Sequence, residues 1–138
     1  MRELTLATDR KVQAIDVTDR VAGSGLADGV LLLASPHTTV ALFLGENDPE
    51  MLGDYERVAS ELFAAHEPFQ HHRNDKPNGA AHLLSSFAGT QLTIPVEGGA
   101  LRLGTYQRII LLELDGPHQG RRIQLHSIAV AQDVARAV

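Results

Sequence analysis

The alternation of apolar and polar residues divides the chain into short strands set around two helices. Arg2–Ala7 and Lys11–Val17 follow the two-residue rhythm of half-buried strands, with Asp9-Arg10 as the turn between them. Val17–Leu26 suits a short helix opened by Thr18 or Asp19, although Gly23 and Gly25 weaken it. Gly29–Ala34 is a continuous apolar run of strand length, which reads as a buried strand. Thr38–Leu44, β-branched and apolar, forms the next one.

Asp48–Ala65 carries the clearest helical pattern. Asp48 can cap it, Pro49 suits the first helical position, and Met51, Leu52, Tyr55, Val58, Ala59, Leu62 and Phe63 recur as one stripe. The polar Glu67–Pro77 segment is a loop. Asn78 then caps a second helix, Gly79–Ala88, which Gly89 ends. Thr90–Val96 alternates as a strand, and Glu97-Gly98-Gly99 is a hairpin turn. Leu101–Leu114 is predicted as one long strand, Asp115–Gly120 as a second turn, and Arg121–Val130 as the last strand. The alternation of that strand slips near Leu125–Ile128, as at a bulge or a change of environment. Asp133–Val138 is a loose tail. Hairpins at Gly98-Gly99 and Asp115–Gly120 require antiparallel pairing. The expected fold is α+β: a single domain over residues 1–138 with a largely antiparallel β-sheet and two or three helices.

Composition narrows the function. A chain of 138 residues can bury a core of its own. With no cysteine it has no disulfides, no thiolate chemistry and no cysteine-type zinc site, which fits a reducing, cytoplasmic setting. A net charge of −5 exerts no overall attraction on nucleic acid or anionic membrane, and neither a signal peptide nor a transmembrane span is expected. Seven histidines are many for this length, and most lie between His37 and His82.

Three histidine positions stand out. His37, in Ser35-Pro36-His37-Thr38-Thr39, lies where a buried strand stops and restarts, so its imidazole can point into a cleft from a rigid frame. His71-His72 is a loop pair whose side chains diverge. His82 sits beside the buried side of the second helix, marked by Leu83, Leu84 and Phe87. Each taken alone fits a satisfied structural histidine. Together, three imidazoles from a strand end, a loop and a helix suit an open metal site with a position left for water or substrate. Imidazole also suits nickel, copper or iron. Glu46 could serve as a base or orient a ligand histidine, and Asp54 borders the helical stripe where a carboxylate could point inward. Asp48 is better read as a cap. Gly104-Thr105-Tyr106-Gln107 interrupts an apolar strand, and Gln107 offers both a donor and an acceptor. Arg102, Arg108, Arg121 and Arg122 would form an anion site only if they gather.

In order and spacing, several landmarks resemble the YjbQ-like family over about Leu31 to Ile128. They are Pro36-His37-Thr38-Thr39, Glu46-Asn47-Asp48-Pro49, Asp54, the loop histidine followed by Ala81-His82-Leu83, Gly89, Gly104-Thr105-Tyr106-Gln107 and Asp115-Gly116-Pro117. The resemblance implies a homotrimer with sites near subunit boundaries. It implies a divalent metal, commonly zinc, on the histidines matching His37, His71 and His82, where Phe69-Gln70-His71 favours His71 over His72. It also suggests a secondary thiamine-phosphate synthase activity, joining a pyrimidine diphosphate to a thiazole phosphate with loss of pyrophosphate, for which several of Arg102, Arg108, Arg121, Arg122 and Lys76 should converge on the diphosphate.

The roles expected on this basis are Glu46 and Asp54 in catalysis and Asn47, Gln107 and Arg122 on a small phosphorylated substrate. The rival reading is a non-catalytic metal- or small-ligand-binding homotrimer. Four departures stand against the resemblance: Tyr106 where the family usually has tryptophan, His118 where it usually has arginine, an asparagine-rich approach to Ala81-His82 reduced to Asn78, and Gly45 where it often has asparagine; loss of the aromatic platform and the cation could change the substrate while leaving the metal site intact.

Overall fold

The structure, a computed structural model, describes residues 1–71 and 77–131. Its strands are β1 (Arg2–Thr8), β2 (Gln13–Asp16), β3 (Gly29–Ala34), β4 (Val40–Gly45), β5 (Gln91–Glu97), β6 (Ala100–Leu101), β7 (Arg108–Glu113) and β8 (His118–Ile128). The helices are α1 (Thr18–Ala22), α2 (Pro49–Glu61) and α3 (Gly79–Ala88), with a 3-10 turn at Ala64–His66. The α+β class and the antiparallel pairing therefore hold. The single sheet does not: the strands form a five-stranded sheet ordered β1-β8-β3-β5-β6 and a three-stranded sheet ordered β2-β7-β4.

Two expectations fail for one reason. Leu101–Leu114 is not one strand. β6 pairs with β5, the chain turns where the Gln107 amide donates to the Gly104 carbonyl at 3.1 Å, and β7 continues in the other sheet. Nor does Asp115–Gly120 close a hairpin. Both edges of β7 are taken, by β2 and β4, so β8 crosses to the larger sheet and pairs with β1 and β3. Near Leu125–Ile128 the β3–β8 pairing stays in register, and it is the environment that changes, from buried Leu125 to exposed Ser127 and Ile128. The register irregularity falls instead in β1, between Leu6 and Thr8. The tail Asp133–Val138 lies outside the described residues, as do His72 and Lys76.

The two sheets pack face to face. The main core joins Leu31, Leu33, Ile94, Ile123 and Leu125 of the larger sheet to Leu42, Ile109 and Leu111 of the smaller. The far side of the smaller sheet, at Ala41 and Leu112, meets Tyr55 and Ala59 of α2 and Ala81 and Leu84 of α3. The layers are thus sheet, sheet, helices, and alternate residues of β7 serve the two interfaces. α2 starts as read: Asp48 accepts from the Met51 amide at 2.8 Å, and Pro49 opens the helix. Asn78 does not cap α3. Its amide donates to Asp115 at 3.0 Å instead, tying the start of α3 to the end of β7.

Candidate functional site

The junction between β3 and β4 carries His37, as the sequence suggested. The half-buried imidazole is fixed by its Nε2, which accepts from the Arg122 backbone N–H at 3.0 Å. Its ring meets that of His118 edge-on, with centroids 5.6 Å apart and planes at 69°. His118 is itself fixed, its Nδ1 accepting from the Gly120 N–H at 3.0 Å. Burial holds the His37 pKa below the ordinary imidazole value, followed by the charges of Arg121, His118 and Arg122; Glu113 opposes them.

Within the fold near this pair, a charged group replaces part of the core. Glu113 is fully buried and Arg121 is 3 % exposed. Arg121 donates from Nε to both carboxylate oxygens of Glu113, at 2.9 and 3.1 Å, and from Nη2 to Oε2 at 2.5 Å and to the Thr39 hydroxyl at 2.8 Å. The Thr8 hydroxyl donates to Glu113 at 2.6 Å. Burial pushes the Glu113 pKa up, but the hydrogen bonds from Arg121 and Thr8 outweigh it and leave the carboxyl below its ordinary value. The frame joins β1, β7, β8 and the approach to β4, and so sets where His37 and the Arg122 amide meet.

The second histidine pair lies on the loop and helix that the sequence singled out. His71 and His82 face each other with ring centroids 4.7 Å apart and planes at 73°. His82 is half-buried on α3 and His71 exposed. Two imidazoles this close are suited to share an ion. Among the described residues, however, no group of three or more His, Asp or Glu side chains is arranged to hold one, so His71 and His82 make half a ligand set within one chain.

The other expected site residues are dispersed. Glu46 and Asn47 follow β4, whereas His37 precedes it, and a strand of this length spans about 17 Å. Glu46 is exposed, and its backbone carbonyl accepts from the Tyr55 hydroxyl at 3.0 Å. Asn47 donates to Asp16, which also accepts from Arg108 Nε at 2.7 Å. Asp54 is exposed and lies 3.5 Å from Arg57. The Gln107 side-chain oxygen accepts from the Gly104 amide at 2.8 Å. The four arginines do not gather: Arg102 faces Glu97, Arg108 faces Asp16 and Asp19, Arg121 faces Glu113, and Arg122 faces Glu3 at 3.9 Å.

Sequence reading missed the Thr8–Glu113–Arg121–Thr39 frame and the pairing of His118 with His37. The available signal was Glu113 closing the apolar run Ile109–Leu112, together with Arg121 falling on the same face of its strand as Ile123 and Leu125.

Comparisons with known proteins agree with this fold. Residues 2–130 match the family model described as UPF0047 protein YjbQ-like. A UPF0047 protein of Archaeoglobus fulgidus is 41% identical over 122 residues, 88% of this chain and 96% of that protein. A crystal structure of a hypothetical protein from Aeropyrum pernix K1 superposes with a TM-score of 0.84 at 34% identity, covering 94% of this chain and 98% of the other. A YbjQ-like protein of unknown function from Sulfolobus solfataricus superposes with a TM-score of 0.81 at 31% identity, over 90% and 92%.

Proposed function

The chain belongs to the UPF0047 YjbQ-like family, and from that premise we propose a metal-dependent enzyme, assembled as a homotrimer, acting on a small phosphorylated substrate. The observation that carries the reading is the meeting of His71 and His82, 4.7 Å between ring centroids, from two separate elements. They would hold a divalent ion, zinc being the usual partner of such imidazoles, with the remaining ligand supplied by a second copy of the chain. That completion across a boundary is why the trimer belongs to the proposal. A bound ion with an open position supplies Lewis-acid polarisation of a phosphoryl oxygen. The chain's own part is to orient the two imidazoles, through α3 packed on β4 and through Asn78 anchored to Asp115. The substrate class rests on the family resemblance and on the half-exposed Arg122, whose backbone N–H holds His37.

Transfer of the thiamine-phosphate synthase type is not carried into the proposal. It requires cations converging on a diphosphate, whereas Arg102, Arg108, Arg121 and Arg122 each face a different carboxylate. One observation favours the rival, a non-catalytic binding trimer: Glu46 and Asp54, the expected proton carriers, are both exposed, and Asp54 faces Arg57.

Metal analysis with native mass spectrometry tests the reading. The expected result is a trimer carrying stoichiometric metal, with His71→Ala and His82→Ala losing the metal at unchanged far-UV circular dichroism. Retained metal in His82→Ala overturns it. Cobalt substitution separates enzyme from binder, because an open site changes its visible spectrum when phosphate is added and a closed site does not.

A further inference from the structure

His37 and His118 are each turned so that one ring nitrogen accepts from a backbone amide: Nε2 of His37 from Arg122, and Nδ1 of His118 from Gly120, both at 3.0 Å. A nitrogen that accepts has no proton, so each neutral ring carries its single proton on the other nitrogen. We propose that His37 and His118 form an oxygen-binding pair, presenting His37 Nδ1–H and His118 Nε2–H to one phosphate or carboxylate group, and that His37 is not a metal ligand.

The exclusion is a count of lone pairs. An ion on His37 Nδ1 would require the proton on Nε2, where it would confront the Arg122 N–H at 3.0 Å. An ion on Nε2 would displace that amide from the imidazole. His118 meets the same conflict with Gly120. Both rings therefore offer donors, and only an acceptor can bridge them.

The charge of the surroundings selects an anionic acceptor. Burial is the first cause that disfavours a proton on His37, followed by Arg121, His118 and Arg122, and Glu113 alone among the named neighbours favours one. The positive charges of Arg121 and Arg122, which add to burial in disfavouring imidazolium, favour a negative oxygen at the same place. Arg121 is held by Glu113 and Thr39 on the buried face of β8, and the Arg122 side chain is about half exposed on the other face. The pair does not require an ion at His71 and His82, so the two readings can fail separately.

Long-range proton–nitrogen correlation on 15N-histidine protein reads the tautomers in the unmodified protein. The expected result is an unprotonated His37 Nε2 and His118 Nδ1, unchanged when zinc is added. Inorganic phosphate and acetate are then titrated separately. One or both should move the His37 Nδ1 and His118 Nε2 signals, and which of them does so separates phosphate from carboxylate. His118→Ala should weaken that binding by about tenfold or more, the worth of one hydrogen bond to a charged group, and His37→Ala should retain the metal held by the wild type. Zinc-induced movement of His37 Nε2, the opposite tautomers, or no response to either anion would overturn the proposal. These three results need no variant, so a His37→Ala protein that fails to fold does not shelter it.

Discussion

Replacing Glu113 by glutamine removes a charge and almost no volume, and so isolates what the buried pair does. In the native protein the carboxylate accepts from Arg121 Nε and Nη2, from the Thr8 hydroxyl at 2.6 Å, and from the Leu114 and Asp115 amides at 3.0 and 3.3 Å. With glutamine in place, Arg121 stays 97 % buried without a compensating charge, and the amide N–H₂ must face the guanidinium in either orientation, beside the Thr8 hydroxyl in one and the Leu114 and Asp115 amides in the other. Breaking one side of a buried pair costs about 3–5 kcal/mol, because the other charge is left uncompensated. At a urea slope of about 2 kcal/mol/M that is a midpoint lowered by about 2 M. Equilibrium urea unfolding followed by circular dichroism measures it. The double variant Glu113→Leu with Arg121→Met, which removes both charges, should recover most of the loss.

Acid supplies a second reading of the same group. The folded pKa of Glu113 lies below its unfolded value, so its contribution is complete above the unfolded carboxylate range and disappears as pH falls through the folded pKa. The gap between wild type and Glu113→Gln should therefore close as pH falls through that window. A loss below about 1 kcal/mol at neutral pH, or a gap that does not change with pH, would refute the reasoning about this pair.

Other consequences follow from packing and capping. Leu33 is fully buried between the sheets, and Leu33→Ala should cost about 3–5 kcal/mol in urea unfolding, since the rigid strands around it cannot close the cavity. Asp48→Ala removes the acceptor for the Met51 amide and should lower stability by about 1 kcal/mol, with Asp48→Asn restoring most of it.

What the sequence determined by itself is local. The rhythm of apolar residues is imposed by the stereochemistry of strand and helix, so β3, β5, α2 and α3 were legible to within a few residues, and so was Asp48 as the cap of α2. The landmarks around His37, His71, His82 and Asp115 were enough to place the chain in its family, as the matched residues 2–130 confirm. What the tertiary structure decided is partnership, which depends on residues far apart in the chain. Nothing in Leu101–Leu114 states that it divides between two sheets. That division follows from β2 and β4 claiming both edges of β7. Arg121 and Arg122 read alike in sequence, yet neighbours on a strand face opposite ways. One is sealed against Glu113 in the interior, and the other lends its backbone amide to His37. His37 likewise acquires its fixed orientation from that amide, which lies 85 positions along the chain and reaches it only when β8 crosses to the larger sheet.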